Sequence, residues 1–463
     1  MLSEFIIALQ DGAKQLKAAA EENKTVFRVV SHLDADGICS AAIISKALDN
    51  LDAKFSLSVE KQLTEKIIVE LELEPYHFLI FTDFGSGQLE LFSEHIKDKK
   101  ILILDHHAYD KSISIPDNVI FLNPHTFGID GSKDISGAGV VYMFSKLLDA
   151  KNKLSAHLAI IGAIGDAQEA EGFSELNEAI LKDAVDSGKI ELASGLKWFG
   201  QETRSLIKLL TYAGEVNLPD LNGSESKAIQ FLSSIGIDPK IGDEWKRFND
   251  LNEDEKSRLT SAIVMKNGNT NIIGRRYLLK DEDDSSQFRD AKEFSTLLNA
   301  CGRLGHASIG IGACLDDPDS KMKAIAILME YRREIVSSMR WFENNKNNAI
   351  IGENFIILNA KDEIKSTLIG TMASIVANTQ EVKDGTIILS LARDVEDMTK
   401  VSIRIKGNYP DVDLMKVIRD ILTSSPGEGG GHKNAAGAVI PTSSEENFIK
   451  TAEKILKNIT PTQ

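Results

Sequence analysis

Apolar residues fall into two rhythms over the first third of the chain. One is the short run: Val26-Phe27-Arg28-Val29-Val30, Phe55 to Val59, Phe78-Leu79-Ile80-Phe81, Ile101-Leu102-Ile103-Leu104 and Val119 to Leu122. The consecutive aliphatics at 101–104 lack the alternation of a strand with one wet face. They predict a strand buried on both sides, as in a parallel sheet covered by helices. The other rhythm is helical: Phe5, Ile6, Leu9, Ala13 and Leu16 mark a leading helix over residues 4–20. Ile38 to Leu48, Lys61 to Leu73, Ser136 to Leu148 and Leu154 to Ile164 continue it. The last of these is nearly all apolar and must be buried.

From Gly172 to Asn267 the pattern is helical, in the stretches Glu175 to Val185, Thr203 to Tyr212, Ser224 to Ile235 and Asp254 to Met265. Strand character returns over Asn271 to Leu279, followed by a polar acidic loop and a helix from Arg289 to Gly302. Ser308-Ile309-Gly310-Ile311-Gly312 reads as a glycine-rich strand, and Asp319 to Asn345 as a long charged helix suited to bridging domains. Beyond it, Phe355 to Asn359, Gly385 to Arg393 and Lys400 to Ile405 are strands, while Ile369 to Asn378 and Leu414 to Leu422 are helices. The expected fold is α/β, with an N-terminal mostly parallel sheet and flanking helices over 1–172, a helical middle region over 173–345 and a smaller C-terminal α/β domain over 346–463.

Composition leaves this picture standing. Hydrophobic residues at 42% and charged residues at 26% describe an ordinary globular chain. There is no apolar run of about 18 residues and no basic, then apolar, leader at the N-terminus, so a cytoplasmic protein without membrane contact is expected. Cys39, Cys301 and Cys314 are too scattered for a disulfide framework and read as reduced, packed side chains. A net charge of −16 argues against coating nucleic acid through basicity, but not against an enzyme that acts on phosphates.

The candidate chemistry sits where apolar runs stop. His32, Asp34 and Asp36 lie between the first strand and the helix from Ile38. Two acids at that spacing can converge on a cation, though such a loop is more often a helix cap and turn. Asp83 ends the run at 78–81, as a cap or a ligand. Asp105-His106-His107 ends the run at 101–104. A carboxylate beside two imidazoles suits a divalent cation, and the end of a strand in an open α/β sheet is where ligands bind. The plain alternative is a capped strand end with two solvated histidines. Asp166 closes the apolar helix, as a helix-end group or a ligand in the same cleft, whereas His157, mid-helix and without a companion, reads as structural. Three strands each ending in metal-capable side chains are hard to obtain from capping preferences alone. Near the C-terminus, Gly429, Gly430 and Gly431 precede His432 and Lys433. Such a run lets backbone approach a ligand and offers an anion nest, against the alternative of a flexible loop. Arg393, Arg404 and Lys406, on strands leading toward it, are candidate phosphate contacts or ordinary surface charges.

Taken together, these motifs resemble the DHH phosphoesterase superfamily with its C-terminal DHH-associated domain. Asp34-Ala35-Asp36-Gly37, Asp83, Asp105-His106-His107 and Asp166 look like its first four motifs, and Gly429-Gly430-Gly431-His432 like the signature of the associated domain. Glu293 to Arg303 is similar to the archaeal RecJ-like branch that includes the GINS-associated nuclease. The resemblance implies two manganese or magnesium ions held by Asp34, Asp36, Asp83, His106 and Asp166, with His32 as a sixth ligand at a position where the family varies. His107 would contact the scissile phosphate, and Asp105 would orient it. Oxygen ligands favour Mg²⁺ or Mn²⁺, and an imidazole shifts the preference toward Mn²⁺. The implied activity is exonucleolytic hydrolysis of single-stranded DNA or RNA in replication or repair, with GINS and the replicative helicase as further partners. The alternatives are a nanoRNase or small-nucleotide phosphodiesterase, usually shorter than this chain, and a catalytically dead replisome scaffold, against which the full ligand set counts.

Overall fold

The computed structural model describes residues 1–459 apart from 23–24, 213–217, 219, 222, 269–271, 380 and 408. Its chain forms two compact units, Met1–Ile327 and Leu328–Gln463. The first opens with α1 (Leu2–Glu21), β1 (Val26–His32), α2 (Ala35–Asp49), β2 (Lys54–Glu60), α3 (Glu65–Leu73), β3 (Phe78–Thr82), α4 (Leu89–His95), β4 (Lys100–Leu104) and β5 (Val119–Leu122). The strands make one all-parallel sheet in the order β2-β1-β3-β4-β5. Both faces are covered, which is why its central strands are continuously apolar. Val30, Leu79, Phe81, Ile101 and Ile103 pack with Ile68 and Leu71 of α3 and Phe92 of α4. On the opposite face lie α1, α2 and α5 (Gly137–Leu148). The apolar helix α6 (Ala156–Gly165) packs on α2 and α5, so every side chain from Ala156 to Ile164 is buried.

The middle region adds α7 (Glu175–Asp186), β6 (Ile190–Leu196), α8 (Leu206–Thr211), α9 (Glu225–Ser234), the short pair β7 (Lys240–Ile241) and β8 (Glu244–Trp245), α10 (Glu253–Asn267), β9 (Ile273–Leu279), α11 (Ala291–Arg303) and α12 (Ala307–Cys314). Leu206, Leu210, Leu232, Leu259 and Ile263 give it a core of its own around Trp198 and Phe248. The region is helical as expected, with two additions, the short β7–β8 pair and β6. Ile190–Leu196 is a strand paired antiparallel with β9; only its two end residues are buried, which leaves a weak apolar signal. Of the strand expected over Asn271 to Leu279, Asn271 lies outside the described residues.

Helix α13 (Pro318–Asn345) contains the division between the units. The second unit is a mixed sheet, β10 (Ile350–Ile351), β11 (Phe355–Asn359), β12 (Ile387–Arg393), β13 (Met398–Ile405), β14 (Glu428–His432) and β15 (Ala435–Pro441), with α14 (Ser366–Ala377), α15 (Leu414–Leu422) and α16 (Glu445–Leu456). Its strand order is β10-β11-β12-β13-β15-β14. No helix among the described residues is long and apolar enough to cross a membrane.

Two expectations are corrected. Ser308 to Gly312 belongs to helix α12, not to a strand. Its alternation of isoleucine and glycine mimics a period of two, but Gly310 serves close helix packing: a Cβ there would lie 3.3 Å from Cys301 Cβ and from Ile38. The glycine run before His432 is an edge strand, not a nest or a loop. A Cβ at Gly429 would come within 2.6 Å of Ile418 on α15, and Gly431 has φ of +131°, so two of the three glycines answer packing and backbone demands.

Candidate metal centre

In a sheet of order β2-β1-β3-β4-β5 the chain leaves β1 and β3 in opposite directions, which opens a crevice beyond their C-terminal ends. The predicted side chains gather there. β1 ends at His32, and Asp34 caps α2, its Oδ1 accepting the Gly37 N–H at 3.0 Å. The turn closes because Gly37 has no side chain; a Cβ would lie 2.2 Å from the His32 carbonyl oxygen. Asp83 follows β3 in the left-handed region (φ 62°), a conformation that costs aspartate about 1 kcal/mol and that clusters at functional sites. Asp105, His106 and His107 follow β4, and Asp166 caps the end of α6.

Asp83 stands at the centre. Its Oδ1 is 3.3 Å from His106 Nε2 and its Oδ2 is 3.4 Å from His32 Nδ1. His106 Nε2 is also 3.3 Å from Asp166 Oδ2 and 3.8 Å from Asp36 Oδ2, while His32 Nδ1 is 3.0 Å from Asp34 Oδ2. Two triplets, His32–Asp34–Asp83 and Asp36–His106–Asp166, and a set of four, Asp83–Asp105–His106–His107, result, each with its ligand atoms within 4.8 Å of one another. Both Asp83 oxygens, His106 Nε2 and His32 Nδ1 are buried without a hydrogen-bond partner. Buried acceptors left facing one another are costly, and a divalent cation between them removes that cost.

The tautomer of His106 follows from its other nitrogen. Nδ1 lies 2.8 Å from the carbonyl of Gly131, which can only accept, so Nδ1 carries a proton and Nε2 is the nitrogen left to face the acids. Gln168 Nε2 donates to the same carbonyl at 3.0 Å and is itself held by Asn177 at 2.7 Å. Asp36 is gripped by the first N–H groups of α5, from Gly137 at 2.6 Å and Ala138 at 3.0 Å. Gly131, Gln168, Asn177 and the α5 start were missed in the sequence. Only Gln168, two residues after Asp166, lay near a motif.

Charge crowding is visible in the acids. Burial, then the neighbouring Asp83 and Asp166, raises the Asp36 carboxyl well above the usual range. Burial, with Asp34 and Asp83 adding to it, pushes Asp166 up to about 7. Burial opposes a charged His106, yet Asp83, Asp166 and Asp36 outweigh it and hold the imidazole well above its ordinary value. A cluster of this kind holds extra protons and exchanges them for cations.

Asp105 has a different employment. Its Oδ2 accepts the Ser86 N–H at 3.0 Å, and its Oδ1 accepts the N–H of His106 at 2.8 Å and of His107 at 3.2 Å and faces His107 Nδ1 at 2.8 Å. Its oxygens are spent on the strand end and on His107, whose ring is partly exposed.

The remaining candidates lie in the second unit. Gly429, Gly430 and Gly431 form the outer strand, and a Cβ at Gly430 would meet nothing within 4 Å. Of His432 only the backbone is described. Lys433 sits in the two-residue turn of the hairpin, its Nζ donating to the Pro410 carbonyl at 2.5 Å. Arg404, Ala435 and His432 share one cross-strand row. Arg393 pairs with Thr399 at the other end of the sheet and is bound to Asp362 and Glu445. It therefore does not join Arg404 near the glycines. Arg404 donates to Ser374 and the Ile403 and Ala436 carbonyls, and Lys406 to the Thr379 and Val382 carbonyls.

Comparison with known proteins matches this architecture piece by piece. Residues 26–165 match the DHH family N-terminal domain, residues 198–275 the DHH-CID domain and residues 352–458 the DHHA1 domain. An uncharacterized protein of Methanocaldococcus jannaschii is 31% identical over 462 residues, covering 98% of this chain and 99% of the relative. The single-stranded-DNA-specific exonuclease RecJ of Thermus thermophilus is 25% identical over 246 residues, taking in 48% of this chain and 35% of the exonuclease. Its crystal structure with Mn²⁺ superposes with a TM-score of 0.62 at 17% identity, over 98% of this chain and 56% of RecJ. The structure of CDC45 from Entamoeba histolytica reaches a TM-score of 0.67 at 11% identity, over 98% of this chain and 99% of CDC45. The three domains in this order, on this fold, make the chain a RecJ-like member of the DHH phosphoesterase superfamily.

Proposed function

We propose that the protein is a metal-dependent exonuclease that hydrolyses phosphodiester bonds of single-stranded DNA or RNA. The observation that carries this is the set of unpartnered buried acceptors on Asp83, His32 and His106 between two ligand triplets. Asp34 and His32 would hold one ion, Asp36, His106 and Asp166 a second, and Asp83 would serve both, one oxygen toward each. Oxygen donors with one imidazole per set suit Mn²⁺ or Mg²⁺. Two such ions, when bound, lower the pKa of water and stabilise the entering and leaving oxygens of an in-line displacement at phosphorus.

The chain's own groups do the rest. Asp105 holds His107 by Nδ1 and, against the cost of burial, favours its charged form, in which Nε2 would donate to a non-bridging oxygen of the scissile phosphate. The Gly131 carbonyl keeps one proton on His106 Nδ1, so that Nε2 is the nitrogen that would turn to a cation, and α5 fixes the orientation of the Asp36 carboxyl through two N–H groups. In the second unit the outer edge of β14 is backbone that no strand among the described residues covers, open at Gly430, and is suited to bind nucleic-acid phosphates together with Lys433. The reading carries a place in DNA replication or repair. An inert scaffold of the same fold would have no use for six converging ligands, so hydrolysis is favoured over that role.

The test is a gel of 5′- and 3′-labelled DNA and RNA single strands with Mn²⁺, with Mg²⁺ and with EDTA. Stepwise shortening that depends on the metal is expected. No cleavage of any strand with Mn²⁺ would return the protein to the scaffold reading, and cleavage confined to di- and trinucleotides would make it a small-nucleotide phosphodiesterase.

A further inference from the structure

Helix α11 supplies none of the proposed ligands, yet one of its faces reaches the loops that carry them. Ser295, Asn299 and Gly302 are spaced i, i+4, i+7 and so share a side of the helix. At Gly302 the fit against the first loop is so close that a Cβ would lie 1.6 Å from the Leu33 carbonyl oxygen. Asn299 Oδ1 accepts the N–H of Ala35 at 3.1 Å, across 264 positions of sequence. Near the second loop, a Cβ on Gly165, the residue before Asp166, would lie 3.1 Å from Ser295 Oγ and 2.9 Å from Ala35 Cβ.

The Ala35 N–H is the first of helix α2, where backbone donors have no partner within the helix. Asp34 serves the donor two residues on, from Gly37, with its Oδ1. That leaves Asp34 Oδ2 for the cluster, and it leaves the buried Ala35 peptide to Asn299. Ala35 stands between Asp34 and Asp36, the two acids that belong to different triplets. A shift of its peptide therefore turns both carboxylates at once.

We propose that Asn299 is a positioning residue of the metal centre: by accepting the Ala35 N–H it fixes the peptide from which Asp34 and Asp36 diverge toward their separate ions. The proposal rests on the metal-site reading. It gives the Glu293–Arg303 segment a task, that of a brace from the middle region against the turn after β1.

The experiment is a Mn²⁺ titration by calorimetry on the full chain, with thermal melting of each variant. Asn299→Leu keeps the volume and removes the acceptor; its Mn²⁺ affinity should fall by about ten- to a hundredfold, the range for lost partners of metal ligands. Excess Mn²⁺ should restore its turnover. Asn299→Asp keeps an oxygen in place and should bind Mn²⁺ at least as well as the natural protein. Gly302→Ala, which pushes on Leu33 from the same helix, should weaken Mn²⁺ in the manner of Asn299→Leu. If Asn299→Leu does not fold, Asn299→Ala carries the same expectation. Unchanged affinity in the acceptor-less variant overturns the proposal, as does an equal loss in Asn299→Asp, or failure of both acceptor-less variants to fold. A natural protein that takes up no Mn²⁺ overturns the metal-site reading itself.

Discussion

Adding one methyl group at Gly162 should disable the metal centre while sparing the fold. A Cβ at that position would lie 2.2 Å from Asp36 Oδ1 and 2.7 Å from Ala138 Cβ. The first distance is about 1 Å inside ordinary contact, so something has to move. Helix α6 is buried along its length and held by α2 and α5, whereas the carboxylate turns about single bonds. Asp36 therefore yields, and in yielding it loses the N–H groups of Gly137 and Ala138. Overpacking costs about 1–3 kcal/mol. Replacing glycine by alanine inside a helix returns about 1 kcal/mol. The two hydrogen bonds that Asp36 gives up add about 1 kcal/mol or more each, so a net loss of roughly 2–5 kcal/mol should lower the melting temperature by about 5–15 °C. The effect on the site is distinct from this, because a displaced ligand is a lost ligand: Mn²⁺ affinity and turnover should each fall by about ten- to a hundredfold, as when a ligand partner is deleted outright. Calorimetric Mn²⁺ titration, turnover on a labelled single strand and a melting curve on the same preparation separate the two effects. A Gly162→Ala protein that binds Mn²⁺ and cleaves like the natural one would refute the placement of Asp36 as a ligand. So would one that loses its fold before its metal.

Three further outcomes follow from the same geometry. Turnover should vanish in EDTA and return best with Mn²⁺; because Asp166 is pushed up to about 7 and Asp36 is raised, Mn²⁺ binding at pH 6 should release protons, and less of this release should remain at pH 9, which calorimetry in buffers of different ionisation enthalpy reads directly. Burial, with Asp290 and Glu202 adding to it, pushes Glu293 up to about 7 from 4.5, so its neutral form favours the fold below pH 4.5 and that advantage is lost as pH rises through 7. Glu293→Gln should therefore be more stable than the natural protein by about 3 kcal/mol at pH 8 and about equal at pH 4.5; equal denaturation midpoints at both would mean that Glu293 is not held neutral. Asp34→Ala should lose Mn²⁺ and keep some strand affinity, while His432→Ala should keep Mn²⁺ and bind single strands more weakly in fluorescence anisotropy at matched salt. Loss of Mn²⁺ in His432→Ala would undo that division of labour.

The parallel sheet and the acids at its strand ends were legible in the linear chain because strands buried on both faces must be continuously apolar, and the polar residues that follow each run mark where the sheet stops. His32, Asp83 and His106 could be found on that ground alone. How they combine could not: that Asp83 lies between the His32–Asp34 pair and the Asp36–His106–Asp166 triplet depends on the parallel register of β1, β3 and β4. Local pattern misled at Ser308 to Gly312 and at the glycines before His432. A short run of glycine and isoleucine fits either period, and packing against α2 and α11 in one case, and pairing with β15 in the other, decided between them. The supports of the site were beyond reach for a simpler reason. Gly131 under His106, α5 under Asp36 and Asn299 beside Ala35 act through single hydrogen bonds or close approaches between residues 25 to 264 positions apart. A backbone carbonyl, a helix start and one asparagine carry no mark in the sequence of what they will meet; only the folded chain brings each of them to its acid or histidine.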